Sequence, residues 1–118
     1  LYRVEEIRNK LWTAYDLEIP LIIEDFEIYL LREGIFNEED YKKILQLKKI
    51  LKDLVNYTYN KNKKVRNELI KLLDDAIGLL SSLQPKKPLP AEMKRRIEDL
   101  RRNLQEIKEI VSQINTAS

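Results

Sequence analysis

Apolar residues recur at steps of three and four along nearly the whole chain, and that spacing predicts helices. Val4, Ile7, Leu11 and Tyr15 form the first stripe, widened by Trp12, and predict a helix over about Tyr2–Tyr15. Glu5 and Glu6 sit in its first turn, where the helix dipole favours negative charge. Pro20 lacks an amide N–H and disfavours helix at Ile19, so the helix is expected to break there. A second, shorter helix is expected over Leu21–Glu33, with Ile22, Ile23, Phe26, Tyr29, Leu30 and Leu31 on a broad apolar side. Gly34 suits the left-handed residue that closes such a helix. Asn37 is a good N-cap, and Glu38, Glu39 and Asp40 load the following first turn with carboxylates.

From Glu38 to Leu80 there is no proline, and no glycine before Gly78. The segment reads as one long helix, kinked where the pattern weakens at Tyr59–Lys64. The alternative is two helices with a turn near Asn60–Asn62, since asparagine is a mediocre helix former. Unbroken, the helix would be about 65 Å long at ~1.5 Å per residue. Ser81–Pro90 holds three of the four prolines, has no periodicity and reads as a linker. Pro90 suits the first position of a final helix running from about Ala91 to Ile114. Met93, Ile97, Leu100, Leu104, Ile107, Val111 and Ile114 alternate steps of four and three in that helix, a coiled-coil-like seam. The expected fold is all-α: an elongated helical bundle of four to five helices, forming a single domain over residues 1–115. Residues 116–118 are expected to be a tail, or the start of a linker to a further domain.

Composition narrows the chemistry. The chain has 118 residues with neither Cys nor His, which excludes a thiol nucleophile, a histidine base and a Cys/His zinc site. Two glycines, in no GxGxxG or GxxxxGK[ST] pattern, supply no phosphate loop. Carboxylate pairs at i, i+3 spacing occur at Glu24 with Glu27 and at Glu106 with Glu109, but such pairs arise by chance among 20 acids. No enzyme activity, cofactor or metal site is expected. No apolar run reaches the ~20 residues that span a bilayer, so no membrane partner is expected.

Charge is unevenly spread although the net value is only +2. Asp16–Asp40 holds nine acids against one base, and Tyr41–Lys71 holds ten bases against two acids. Such segments can pair internally or select oppositely charged partners. Basic residues at Lys61, Lys63, Lys86, Lys87, Arg95 and Arg96 are candidate nucleic-acid contacts, with Tyr57 and Tyr59 placed to stack on bases. Tyr57 also fits the apolar stripe of its helix, a core role. A richness in Lys, Ile, Leu and Glu matches a heat-adapted source.

Three stretches together carry a family resemblance. Leu11–Ile22 (LWTAYDLEIPLI) has Trp12, Glu18, Pro20 and Leu21 in a Trp-acidic-Pro-Leu succession. Leu54–Leu69 (LVNYTYNKNKKVRNEL) has Tyr57, Tyr59, Asn60, Lys61, Lys64, Val65 and Arg66 in a Tyr-x-Tyr-Asn-basic, then basic-Val-Arg order. Leu89–Leu104 opens with Leu89, Pro90 and Glu92 ahead of the last helix. In this order they resemble the helical domain of an archaeal GINS subunit, of the type with the helical domain first and a β-domain second. Asn62 stands where that family usually has an apolar residue.

The resemblance implies a non-catalytic scaffold subunit of a DNA-replication helicase assembly, cytoplasmic and nucleoid-associated. Its implied partners are the other GINS subunits of a tetramer, the MCM helicase and a RecJ-like protein, with nucleic acid secondary. It further implies that Trp12, Tyr57, Tyr59, Asn60, Lys64 and Arg66 lie at interfaces, and that a β-domain would follow Ser118. Two alternatives stay open on the residues themselves. One is a small helical nucleic-acid-binding accessory of a polymerase or CRISPR effector. The other is a stand-alone helical oligomer.

Overall fold

The computed structural model describes residues 2–59 and 65–116, and the side chains of 3–59 and 67–113. Every regular element among them is helical: α1 (Tyr2–Thr13), α2 (Ile19–Asp25), α3 (Glu38–Thr58), α4 (Val65–Ser81) and α5 (Ala91–Thr116). A π-turn over Ala14–Glu18 joins α1 to α2, and a second over Phe26–Leu30 follows α2. Together these four pieces make one continuous N-terminal rod. No helix among the described residues is long and apolar enough to cross a membrane.

The expected break at Pro20 does not occur. Backbone angles at Thr13, Glu18 and Ile19 all stay right-handed helical, and the rod continues through the proline. The π-turn explains this. Its wider loop carries the Ile19 N–H back five residues to the Ala14 carbonyl. Shifting the hydrogen-bond register just ahead of the ring accommodates both the missing N–H and the ring's usual clash with the carbonyl four residues back. The same turn keeps the apolar face in phase. Buried rod residues fall at Ile7, Leu11, Ala14, Ile19, Ile22, Phe26 and Leu30, and the single step of five, Ala14 to Ile19, spans the π-turn.

The rod closes at Gly34, which takes a positive φ of 69°. Ile35 N–H bonds the Leu30 carbonyl at 3.0 Å and Gly34 N–H bonds that of Leu31 at 3.1 Å, the Schellman pattern. Buried Leu30 and Ile35 supply its apolar contact. Asn37 then caps α3 reciprocally with Asp40: Asp40 N–H donates to Asn37 Oδ1 at 3.0 Å, and Asn37 N–H to Asp40 Oδ2 at 3.4 Å.

The single long helix expected from Glu38 to Leu80 is instead two helices. α3 and α4 lie side by side, Lys43 Nζ reaches the Ser82 carbonyl at 3.2 Å, and the Tyr57 hydroxyl bonds Glu68. The longest extent of the molecule is 49 Å, too short for the ~65 Å helix. Folding back is the way for α4 to bury Leu73, Ala76 and Leu80 in the same core as α3. Residues 60–64, where the alternative placed its turn, lie outside the described ones.

α5 begins at Ala91, as expected. The Pro90 carbonyl accepts the Lys94 N–H at 2.9 Å, so Pro90 caps the helix rather than filling its first turn. The predicted seam is intramolecular: Ile97, Leu100, Leu104, Ile107 and Val111 are buried and Met93 packs at the edge. The rod and α4 each pack between α3 and α5. Cross-contacts Arg8–Thr58, Asp25–Arg96, Lys10–Glu106 and Asp74–Lys108 show that helices adjacent in the bundle run antiparallel. The result is an elongated up-down-up-down bundle, 49 × 22 × 20 Å.

Leu104 is fully buried, so Leu104→Ala is expected to cost about 2–5 kcal/mol in chemical denaturation. Gly34→Ala is expected to cost about 1–2 kcal/mol through backbone strain, since a Cβ there has room. A neutral Gly34→Ala would contradict the left-handed closure.

Candidate functional site

Trp12 and Tyr59, candidates from distant parts of the sequence, meet on the surface. Trp12 Nε1–H donates to the Tyr59 hydroxyl at 3.1 Å, and Trp12 stands edge-on to Tyr15 with ring centroids 6.2 Å apart. Arg8 completes the cluster. Its guanidinium lies 4.2 Å from the Tyr59 ring centre, and donates to the Thr58 carbonyl at 2.6 Å and to Glu5 at 3.0 Å. The cation over the ring and the capped carbonyl tie the end of α3 to α1. Nothing local marks Arg8 as part of this cluster, because Thr58 and Tyr59 lie about 50 residues away.

Tyr57 is placed differently. It is half-buried on the α3–α4 seam, and its hydrogen bond to Glu68 raises its pKa above the ordinary 10.0, helped by that carboxylate's charge. Asn60, Lys61, Lys63 and Lys64 lie outside the described residues, as does the Arg66 side chain, so the interface roles expected of Asn60, Lys64 and Arg66 and the nucleic-acid contacts expected of Lys61 and Lys63 fall there too. In the linker, Lys86 and Lys87 are exposed. Lys87 Nζ bonds the Glu33 carbonyl at 2.8 Å, and the Lys86 N–H bonds the Ile35 carbonyl at 2.8 Å. Arg95 is exposed. Arg96, expected among free basic contacts, is engaged within the chain: one guanidinium nitrogen meets both Asp25 oxygens at 2.6 and 2.8 Å, and the other meets Glu92 at 3.2 Å.

The acidic and basic segments are not each other's main partners. Between them the described residues show one ion pair, the local Asp40–Lys43 contact at 3.8 Å. The rod's inward acids turn to α5 instead, Asp25 to Arg96 and Glu18 to Asn103. Lys42, Lys48, Lys49 and Lys52 of α3 are exposed, with no ion pair among the described residues. One member of each i, i+3 carboxylate pair is engaged across the bundle: Glu27 accepts from the Tyr41 hydroxyl and Glu106 pairs with Lys10 at 2.9 Å.

A polar cleft of about 430 Å³ lies between the rod and α5, lined by Lys10, Glu18, Asp99, Asn103 and Glu106 among others. The Asn103 amide bridges it, donating to the Lys10 carbonyl at 3.0 Å and to Glu18 Oε1 at 2.7 Å. Burial raises the Glu18 pKa above its ordinary 4.5, and nearby Asp99 and Glu106 add to the rise, against the Asn103 hydrogen bond and Lys10.

The remaining surface feature is apolar. Leu17, Ile28 and Tyr29 of the rod and Leu45 of α3 are exposed, in addition to Trp12 and Tyr59. Sequence reasoning placed Tyr29 on a broad apolar side, but left Leu17 and Ile28 unassigned. The chain matches no protein-family model, no curated protein and no solved structure.

A raised native carboxyl pKa means the folded state binds more protons than the unfolded one just above pH 4.5, so this group's contribution to stability falls as pH rises through that window. Glu18→Gln keeps the acceptor for Asn103 and removes the charge. It is expected to raise the melting temperature at neutral pH, with the gain vanishing near pH 4 in calorimetry. Arg96→Ala is expected to lower the melting temperature by several degrees at both low and high salt, because Asp25 is nearly buried and weakly screened.

Proposed function

We propose that this chain is a non-catalytic helical scaffold that works by binding other protein chains. The observation that carries the reading is the set of large apolar side chains left outside a complete core: Leu17 is 57% exposed, Ile28 60%, Tyr59 54%, Leu45 41%, and Trp12 and Tyr29 38% each. They sit on the rod and on α3, two neighbouring members of the bundle. Apolar surface of this kind on adjacent helices is suited to covering by a partner.

The specific form of the proposal is a GINS-like subunit, contacting sister subunits, an MCM helicase and a RecJ-like protein in an archaeal replication assembly, in the cytoplasm beside the nucleoid. Its support is the three-part sequence resemblance, together with the surface meeting of two residues from separate parts of it, Trp12 and Tyr59. A second reading, nucleic-acid binding, is favoured by Lys42, Lys48, Lys49 and Lys52, which present uncompensated charge along α3.

Light scattering across a concentration series, alone and after mixing with sister-type subunits and helicase components from the same source, tests both levels. The expected outcome is a defined complex that Ile28→Glu or Trp12→Glu weakens while circular dichroism stays unchanged. A monomer at every concentration that joins none of these partners would remove the scaffold reading. Tight oligonucleotide binding with a steep salt slope, lost on replacing the α3 lysines, would favour the second.

A further inference from the structure

A second cleft lies at the end of the bundle where the Ser82–Pro90 linker crosses from α4 to α5. It has a volume of about 430 Å³ and is open on one side. Phe36, Leu80 and Ile97 belong to the buried core and also line it. Leu83, Pro85, Pro88 and Leu89 form the linker side. The α5 side is Lys94, Ile97, Glu98 and Arg101, an i, i+3, i+4, i+7 set on one helix face, and Lys87 closes the rim. From these residues we propose that the cleft is a docking site for an acidic peptide segment that inserts one bulky apolar side chain. The proposal rests on the scaffold reading in taking the partner to be a protein, and it assigns that partner a chemistry and a surface distinct from the rod.

Three features point to this occupant. The first is charge. Lys87, Lys94 and Arg101 face a single acid, Glu98, which stands 3.5 Å from Arg101. Lys87 Nζ is satisfied by a neutral carbonyl, which leaves its charge uncompensated. Exposed Lys86 and Arg95 extend the positive field on either side in sequence. The second is hydrogen-bond capacity. Arg101 Nε finds no acceptor among the described residues, and the half-exposed guanidinium meets Glu98 only through Nη1 at 3.5 Å, which leaves its outer N–H groups free to donate. An incoming carboxylate can supply the forked geometry a guanidinium prefers. The third is shape. The apolar walls sit beneath a cationic rim, the arrangement an aliphatic or aromatic side chain flanked by carboxylates would fill. An open cleft of this size holds a side chain and leaves the rest of its chain outside.

The cleft is already formed. The Lys86 N–H to Ile35 carbonyl bond pins the linker to the turn after the rod, and three prolines between Pro85 and Pro90 restrict its backbone. Little ordering entropy therefore opposes binding.

The test is a nitrogen–proton NMR titration of the full chain with the blocked peptide Asp-Glu-Leu-Phe-Asp-Glu. The controls are Asp-Glu-Ala-Ala-Asp-Glu, Lys-Lys-Leu-Phe-Lys-Lys and an oligothymidylate. Shifts confined to Phe36 and residues 80–101 with the first peptide alone would support the site. So would weakening by about tenfold or more in Lys94→Glu and Arg101→Glu, each with unchanged helicity. Leu89→Glu provides an independent block of the apolar half. No shift at millimolar peptide, shifts on the rod or α3, equal binding of the alanine peptide, or preferred binding of the oligonucleotide at the cleft would each overturn the proposal. Ile28→Glu should leave peptide binding intact, so failure of the rod surface and failure of the cleft can be told apart.

Discussion

Everything in this molecule depends on four amphipathic stripes sharing one core. The seam of α5 from Ile97 to Val111 is the most regular of them, and it is covered only when the rod and α4 lie on either side of it. A seam of that kind can equally zip to a second copy of itself. Here the chain supplies its own cover, with α3 completing the ring between the rod and α4. Because neighbours run antiparallel, short connections suffice, and the two ends of the bundle carry the turns. One end gathers Gly34–Asn37 and the linker, locked together by the Lys86–Ile35 bond. The other end holds the Arg8, Trp12 and Tyr59 cluster.

Features that depend on a few adjacent residues were legible in the sequence. Gly34 as the left-handed closure, Asn37 as the N-cap and the α5 seam each follow from local spacing or from what a single residue type permits. The features that escaped depend on partners far along the chain. No periodicity reveals that α4 folds back on α3, because one helix of 43 residues and two packed helices share the same stripe. The packing decides, since an apolar face with nothing against it stays in water. Pro20 misled for a related reason. Its helix-breaking rule assumes regular hydrogen-bond spacing, and the preceding turn does not keep it.

The candidate surfaces divide in the same way. Trp12 and Tyr59 were named through a family resemblance, not through any rule that brings them together. Their contact across 47 residues is visible only in the fold. Arg8 carried no signal. The charge blocks were plain in the sequence, yet their use was not. The inward acids of the rod are taken by α5, and most α3 lysines are left to solvent. Block charge sets the field of a surface, whereas pairing is set by which helices become neighbours. The two clefts along α5 show the same principle: one is mainly carboxylate and amide, the other apolar under cations, although a single helix lines both.

The π-turn at Ala14–Glu18 has a consequence for how this chain tolerates change in length. A helix holds its apolar face inward only while residues are added in near-whole turns, and a single extra residue ordinarily rotates everything beyond it by ~100°. Here the extra residue is absorbed within one widened turn, so α1 and α2 both keep their stripes on the core. The rod thus carries a surplus residue at a known place. Removing one residue between Ala14 and Glu18 would keep both stripes on the core but restore the regular hydrogen-bond spacing that Pro20 cannot join, so the rod would kink there. The same removal within α1 or α2 would turn one half of the rod away from the core. The second π-turn, Phe26–Leu30, holds the same surplus with no proline beside it, so length variation in the rod is confined to these two short windows.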